Sequence, residues 1–130
     1  NKIVKKKIYI FKRYKKNLKK YKDIIQMNYA DRLNQNSYWM PTIVLNIKNI
    51  NYEIVKNYFK KNKIDIRPFF RPLSSLRMFA KTKNKNAYNI FSRAFNLPSY
   101  NEIRDDHIDK VSKVLINFIK INEKKKINKR

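Results

Sequence analysis

The stretch "IDIRPFFRPLSSLRMF", residues 64–79, decides how the rest of the chain is read. It starts with alternating apolar and charged residues, the two-residue period of a strand. Two prolines then follow, Pro68 and Pro72, amid phenylalanine, arginine and serine. Proline fixes φ, lacks an N–H and pushes its predecessor toward extended backbone. The segment therefore reads as a short strand over 64–70 that runs into a rigid turn and cannot continue as helix.

Working outward, the flanks carry helical periodicity. Before the stretch, residues 49–62 read as a helix with Ile54, Val55, Tyr58 and Phe59 as its apolar face and Asn49 or Asn51 as its cap. Residues 37–47, "SYWMPTIVLNI", are aromatic and β-branched and predict a strand, with Pro41 where no ladder bond is needed. Residues 23–36 mix Asn, Asp and Gln without period and predict a strand-to-loop passage. Residues 2–22 place Val4, Ile8, Phe11, Tyr14, Leu18 and Tyr21 at steps of three and four, one stripe of an amphipathic helix.

After the stretch, residues 85–95 predict a helix with Ala87, Tyr88, Phe91, Ala94 and Phe95 on one side. "NLPSY", residues 96–100, is an extended break, and Asn96, Pro98 and Tyr100 form a turn that positions the final helix over 105–119. That helix carries the stripe Ile108, Val111, Leu115, Phe118 and Ile119, with Asp105, Asp106 and Asp109 near the positive end of its dipole. From Asn122 on, the lysine-rich tail is expected to fray. Helices with one apolar stripe need a sheet face to cover. The expected fold is an α/β two-layer sandwich, a short sheet covered by about four helices.

Composition narrows the chemistry. The 130 residues suit one domain, and 42% hydrophobic content supplies a core. Cysteine is absent, so disulfides and thiolate metal sites are excluded, and a single histidine, His107, does not make a metal centre. His107 reads as a satisfied surface residue. No apolar run reaches the roughly 20 residues that span a bilayer, and Asn1–Lys5 leads into lysines rather than an apolar signal core. A cytoplasmic protein is expected. The first residue is Asn rather than Met, so the chain is read as a piece of something longer.

The net charge is +24 and glycine is absent. Missing glycine removes the glycine-rich phosphate loops. The charge suits a free-standing basic module for RNA or DNA, with tyrosine and phenylalanine as stacking partners. It suits better a gene drifting toward the AT-rich codons of Lys, Asn and Ile. The lysines are spread over several segments, which favours solvated faces. No acid/base pair, nucleophile triad or metal cluster emerges.

Three blocks carry a resemblance further: "NSYWMPTIVL" (36–45), "IDIRPFFRPLSSLRMF" (64–79) and "AFNLPSYNEIRDDHIDKVSKVL" (94–115). Together they resemble the C-terminal small domain of the DegT/DnrJ/EryC1/StrS family of pyridoxal-phosphate-dependent sugar aminotransferases. The resemblance covers nearly the whole chain. It implies that residues 1–22 are the helix linking two domains, 37–119 the α/β core and 120–130 a basic tail. It also implies that the large domain, which holds the pyridoxal 5′-phosphate and the catalytic lysine, is absent here. No lysine of this chain matches that residue. The implied partners are an amino acid donor, usually glutamate, and a nucleotide-linked 4-keto-6-deoxy sugar destined for surface polysaccharide such as O-antigen. A homodimer and an inactive isolated fragment follow from the same resemblance.

The segment matching 67–79 then resembles the part of the small domain that approaches the active-site mouth. Arg67, Phe70, Arg71, Ser74 and Ser75 are implied to face the substrate, the arginines by binding phosphate or carboxylate. Phe69, Leu73, Leu76, Met78 and Phe79 are expected to pack, and Trp39 to sit in the core or at a domain interface. The chain departs from the family pattern at Arg71, where an aromatic is common, at Arg77, where proline is common, and at Arg104, in place of a Thr or Ser cap.

Overall fold

The computed structural model describes residues 2–31, 33–82 and 84–127. Four helices, α1 (Lys2–Leu18), α2 (Tyr52–Lys61), α3 (Lys85–Arg93) and α4 (Asp105–Ile127), accompany four short strands. The strands are β1 (Ile25–Met27), β2 (Thr42–Leu45), β3 (Arg67–Pro68) and β4 (Ala94–Asn96). They form one sheet in the order β1-β2-β4-β3, with every neighbouring pair antiparallel. The expected α/β class holds.

The core lies between the sheet and α1, α2 and α4. Ile25, Ile43, Leu45 and Phe95 from the sheet meet Ile10, Tyr14 and Leu18 of α1, Val55 and Phe59 of α2, and the stripe of α4. All five stripe residues expected on α4 are buried. On α1 the buried set is Ile10, Phe11, Tyr14 and Leu18, so the stripe is centred on Ile10 rather than Ile8, which is half-buried. On α2, Val55 and Phe59 are buried, while Ile54 faces solvent.

A polar clamp fixes α1 against α4. The Arg13 guanidinium forks onto Asp109, with Nε donating to Oδ1 at 3.1 Å and Nη2 to Oδ2 at 2.7 Å, and Nη1 reaches Asp105 at 2.9 Å. Asn17 donates to the same Asp109 at 2.8 Å. These bonds hold the Asp109 carboxyl below the usual carboxylate range, with Arg13 the larger cause. The acidic cluster read as dipole compensation therefore also locks two helices together.

Two elements differ from their sequence reading. The helical period from Tyr88 through Phe91 suggested helix to Phe95, yet the backbone turns extended at Ala94. Ala94–Asn96 instead form a central strand between β2 and β3, because pairing on both sides outweighs local periodicity. β2 begins at Thr42 rather than at residue 37. Pro41, directly before it, is buried and accepts from the Leu97 N–H through its carbonyl at 2.9 Å. Upstream, Ile25–Met27 pair with β2 as the other edge of the sheet. The tail expected to fray from Asn122 continues as helix to Ile127. Residues 128–130 of the expected basic tail lie outside the described residues.

A chain without glycine must place other residues in the left-handed region. Tyr38, Asn49 and Lys63 have φ of 50°, 60° and 57°. Asn51, not Asn49, caps α2 by accepting from the Ile54 N–H at 3.1 Å. Lys63 occupies the position after the α2 C-cap where glycine is usual. Its N–H donates to the Lys60 carbonyl at 3.0 Å and that of Ile64 to the Phe59 carbonyl at 3.1 Å. This doubly bonded ending turns the chain back toward β3.

Candidate functional site

The segment that decided the fold is displayed at the sheet edge. β3 is an edge strand, so Pro68 costs the ladder little. Pro72 is buried and extended, and one turn of 3-10 helix over Leu73–Ser75 follows it. The turn closes on itself: Ser75 donates through Oγ to the Pro72 carbonyl at 2.7 Å. Ser74 is buried, and its hydroxyl lies 3.2 Å from the Tyr88 hydroxyl. Asn84 donates to that same serine oxygen at 3.4 Å. Both serines thus spend hydrogen bonds on shaping the turn.

The three remaining candidates point to different neighbours. Arg67 is exposed, pairs with Asp65 at 3.2 Å, and borders a groove reaching toward α4. Phe70 is 58% exposed, with its ring 6.0 Å from Trp39 in a stacked arrangement and 5.6 Å from Phe69 edge-on. Arg71 places its guanidinium 6.0 Å from the Phe91 ring centroid, a cation–π distance. The turn therefore offers an aromatic pair, flanked by one arginine toward the groove and one toward α3.

Packing expectations for this segment hold only in part within the chain, where Phe69 and Leu76 are half-buried. Leu73, Met78 and Phe79 are exposed, Met78 by 81%. Trp39 is also exposed and belongs to no core cluster here. The buried core lies on the other helices, and no described residue of α3 is buried. Sequence reasoning missed Trp39 as the partner of Phe70, and Tyr88 and Asn84 as the groups that seat Ser74. Trp39 is far from the turn in sequence, and Asn84 and Tyr88, 10 and 14 residues from Ser74, belong to the start of α3, so none gave a local signal of these roles.

Around the turn, the remaining polar contacts brace the scaffold. The "NLPSY" break is held from outside: the Tyr14 hydroxyl donates to the Pro98 carbonyl at 2.9 Å and Lys7 donates to the Ser99 carbonyl. Burial pushes the Tyr14 phenol well above its ordinary pKa, so it remains a donor. Asn96 is buried, accepts from the Thr42 hydroxyl at 2.8 Å and donates to the Pro68 carbonyl at 3.2 Å. It ties β2, β4 and the start of the turn together. His107 is exposed, its Nδ1 3.0 Å from the Tyr100 hydroxyl, as a satisfied surface histidine should be. Arg104, at the position before α4, forks onto Asp106 at 3.1 and 2.9 Å instead of capping with a hydroxyl. No group of three or more His, Cys, Asp or Glu residues able to hold a metal occurs among the described residues. No described helix is long and apolar enough to cross a membrane.

The model of the DegT/DnrJ/EryC1/StrS aminotransferase family matches residues 1–116. The GDP-perosamine synthase of Vibrio cholerae is 30% identical over 87 residues, which are 63% of this chain and 24% of that protein. Among solved structures, the sugar aminotransferase Spr1654 of Streptococcus pneumoniae superposes in its apo form with a TM-score of 0.76 at 17% identity, over 98% of this chain and 33% of that one. Its PLP form gives 0.74 at 18% identity, over 94% and 32%. DesI, solved in the presence of its TDP-sugar product, gives 0.73 at 18% identity, over 87% and 30%. At these identities the structures establish the fold, and the chain spans about a third or less of each relative's length.

Proposed function

Because this chain belongs to the DegT/DnrJ/EryC1/StrS aminotransferase family, we propose that it forms the small C-terminal domain of a larger, pyridoxal-phosphate-dependent sugar aminotransferase. The parent enzyme moves an amino group from an amino acid donor, glutamate by family habit, to the keto carbon of a nucleotide-linked 4-keto-6-deoxy sugar. The observation that carries this reading is the turn of 67–79: it lies within the family match, and its aromatic and cationic side chains are exposed rather than packed.

In this reading Arg67 and Arg71 bind an anionic part of the substrate. Phe70, braced by Trp39, presents a flat apolar surface to the sugar or base. Ser74 and Ser75 keep the turn in shape rather than touch substrate. The exposed Leu73, Met78 and Phe79 pack against the large domain. The parent is a cytoplasmic homodimer, and its aminated product feeds surface polysaccharide.

The residues present do not make a cradle for the cofactor. Lys63 and Lys110 border the groove, and both are exposed, so neither has the buried setting that commonly activates a cofactor-carrying lysine. The carboxylate beside them, Asp65, is already paired with Arg67. When bound by the large domain, pyridoxal phosphate supplies the electron sink of the transfer. This chain supplies binding surface and exclusion of water.

The test has two arms. The isolated chain is mixed with pyridoxal phosphate, reduced with borohydride and mapped by mass spectrometry. The parent polypeptide is then assayed with glutamate and GDP-4-keto-6-deoxymannose. No single lysine of the chain should be labelled selectively, and the parent should form the amino sugar. Selective labelling of one lysine here, or a parent that transfers no amino group to any nucleotide-linked keto sugar, overturns the reading.

A further inference from the structure

One face of α1 has no partner in the fold. Lys2, Lys5, Tyr9, Lys12 and Lys16 recur every three or four residues, and Lys19 of the following 3-10 turn (Lys19–Tyr21) extends the row. All six are exposed. The row runs along the side of the helix away from the buried Ile10, Phe11, Tyr14 and Leu18. At 1.5 Å per residue it is about 25 Å long.

The charge of this face is uncompensated. Residues 2–21 hold nine lysines and Arg13 but no Asp or Glu. Arg13 is spent on Asp105 and Asp109, and no lysine of the row forms an ion pair among the described residues. By contrast, α2 and α4 carry acids in their first turns, and Glu53 of α2 pairs with Lys56. Part of the charge on α1 suits the helix itself, because Lys15 and Lys16 stand in its last turn, at the negative end of the dipole. Lys2 and Lys5 oppose the dipole at the other end, and Lys12 and Lys16, four residues apart, repel each other. An anionic partner relieves both costs.

The chemistry of the row narrows that partner. The apolar face of α1 is committed to the core. The helix therefore cannot lay that face into a protein groove or sink it into a bilayer, and is left to rest on a surface. Its free cations are lysines, flexible point charges without the fork that reads base edges. Its one aromatic is poorly placed to stack on bases: the Tyr9 hydroxyl donates to Asp105 at 2.7 Å, and Lys6 stands 5.4 Å from the ring centroid. A straight convex row of lysines fits a broad surface whose charges rearrange to meet it, as the headgroups of a fluid bilayer do.

We propose that the face of α1 from Lys2 to Lys19 adsorbs to membranes rich in anionic phospholipid, its lysines meeting the headgroups without entering the hydrocarbon. The inference does not rest on the aminotransferase reading, and either stands if the other fails.

Sedimentation of the chain with vesicles of phosphatidylcholine, alone or with about one-third phosphatidylserine, tests it at an ionic strength of about 50 mM. The chain should bind the mixed vesicles, leave the neutral ones, and be released by about 0.5 M salt. K12Q/K16Q should lose about tenfold or more in affinity, as two lost headgroup contacts imply. K81Q/K85Q, an equally exposed pair at the same spacing outside α1, should lose less than about threefold through the general field. K12R/K16R, which keeps the charge, should bind within about twofold of wild type, and thermal melts report whether each variant is folded. Failure to bind the mixed vesicles, equal binding to the neutral ones, equal losses in the two glutamine pairs, or a loss in K12R/K16R as large as in K12Q/K16Q overturns the surface. If the vesicles do not bind while a DNA duplex does, and K12Q/K16Q loses it, the row is a nucleic-acid surface and the lipid assignment falls.

Discussion

The two sides of this molecule are built from similar residues and put to opposite use. Where the sheet meets α1, α2 and α4, aromatic and aliphatic side chains are almost wholly buried, with Tyr14, Phe59 and Phe95 at 0% exposure. Around residues 67–79 and α3, Trp39, Phe70, Leu73, Met78 and Phe79 are exposed. A folded chain has no stability reason to gather so much apolar surface in one exposed region. The first side makes the fold, and the second leaves its large apolar side chains in solvent.

Truncation contrasts the two sides most sharply. Phe59 packs against Phe95 at 6.0 Å between ring centroids. Phe59→Ala should cost about 3–5 kcal/mol in urea-induced unfolding. Met78→Ser, on the other side, should stay within about 0.5 kcal/mol. A cost for Met78→Ser approaching that of Phe59→Ala would erase the contrast.

A smaller effect is expected where the core side is strained. Lys63 holds a left-handed φ of 57° at the end of α2. A side chain with a Cβ there costs about 1–2 kcal/mol, so Lys63→Gly should stabilise the chain by about 1 kcal/mol, part of the gain being offset by the freer unfolded backbone. An unchanged or lower urea midpoint would show that the turn is relaxed.

The least change is expected from acid. Asp109 titrates below its ordinary range because Arg13 and Asn17 bond it. Such a group contributes stability above its unfolded pKa of about 4, and that contribution is lost as pH falls through its lower folded value. Arg13→Gln should therefore lower the urea midpoint at neutral pH and flatten its dependence on pH below about 4. If wild type and variant lose stability in parallel below that pH, the clamp is not the source.

Much of the core side was legible from residues alone. The stripe of α4 and, in part, the face of α2, where Val55 and Phe59 are buried but Ile54 is exposed, follow from spacing that any partner surface would satisfy; the cap was narrowed only to Asn49 or Asn51. The boundary at Ala94 was not legible. A helical period runs through it, and only pairing with β2 and β3 makes it strand. β1 was only partly legible, because three residues do not establish a period. For the candidate site, the two prolines announced a rigid turn. Its exposure, the Trp39–Phe70 contact and the bond of Ser74 to Tyr88 depend on segments outside the turn.

By itself the sequence determined the α/β class, three of the helical faces at least in part and the presence of an unusual proline-framed turn, because periodicity and proline act locally. Only the tertiary structure decided which apolar residues are core, which strand is central, and that Lys63, Arg67 and Lys110 meet at one groove. Burial and convergence are properties of neighbours in space, and residues tens of positions apart carry no mark of one another until the chain has folded.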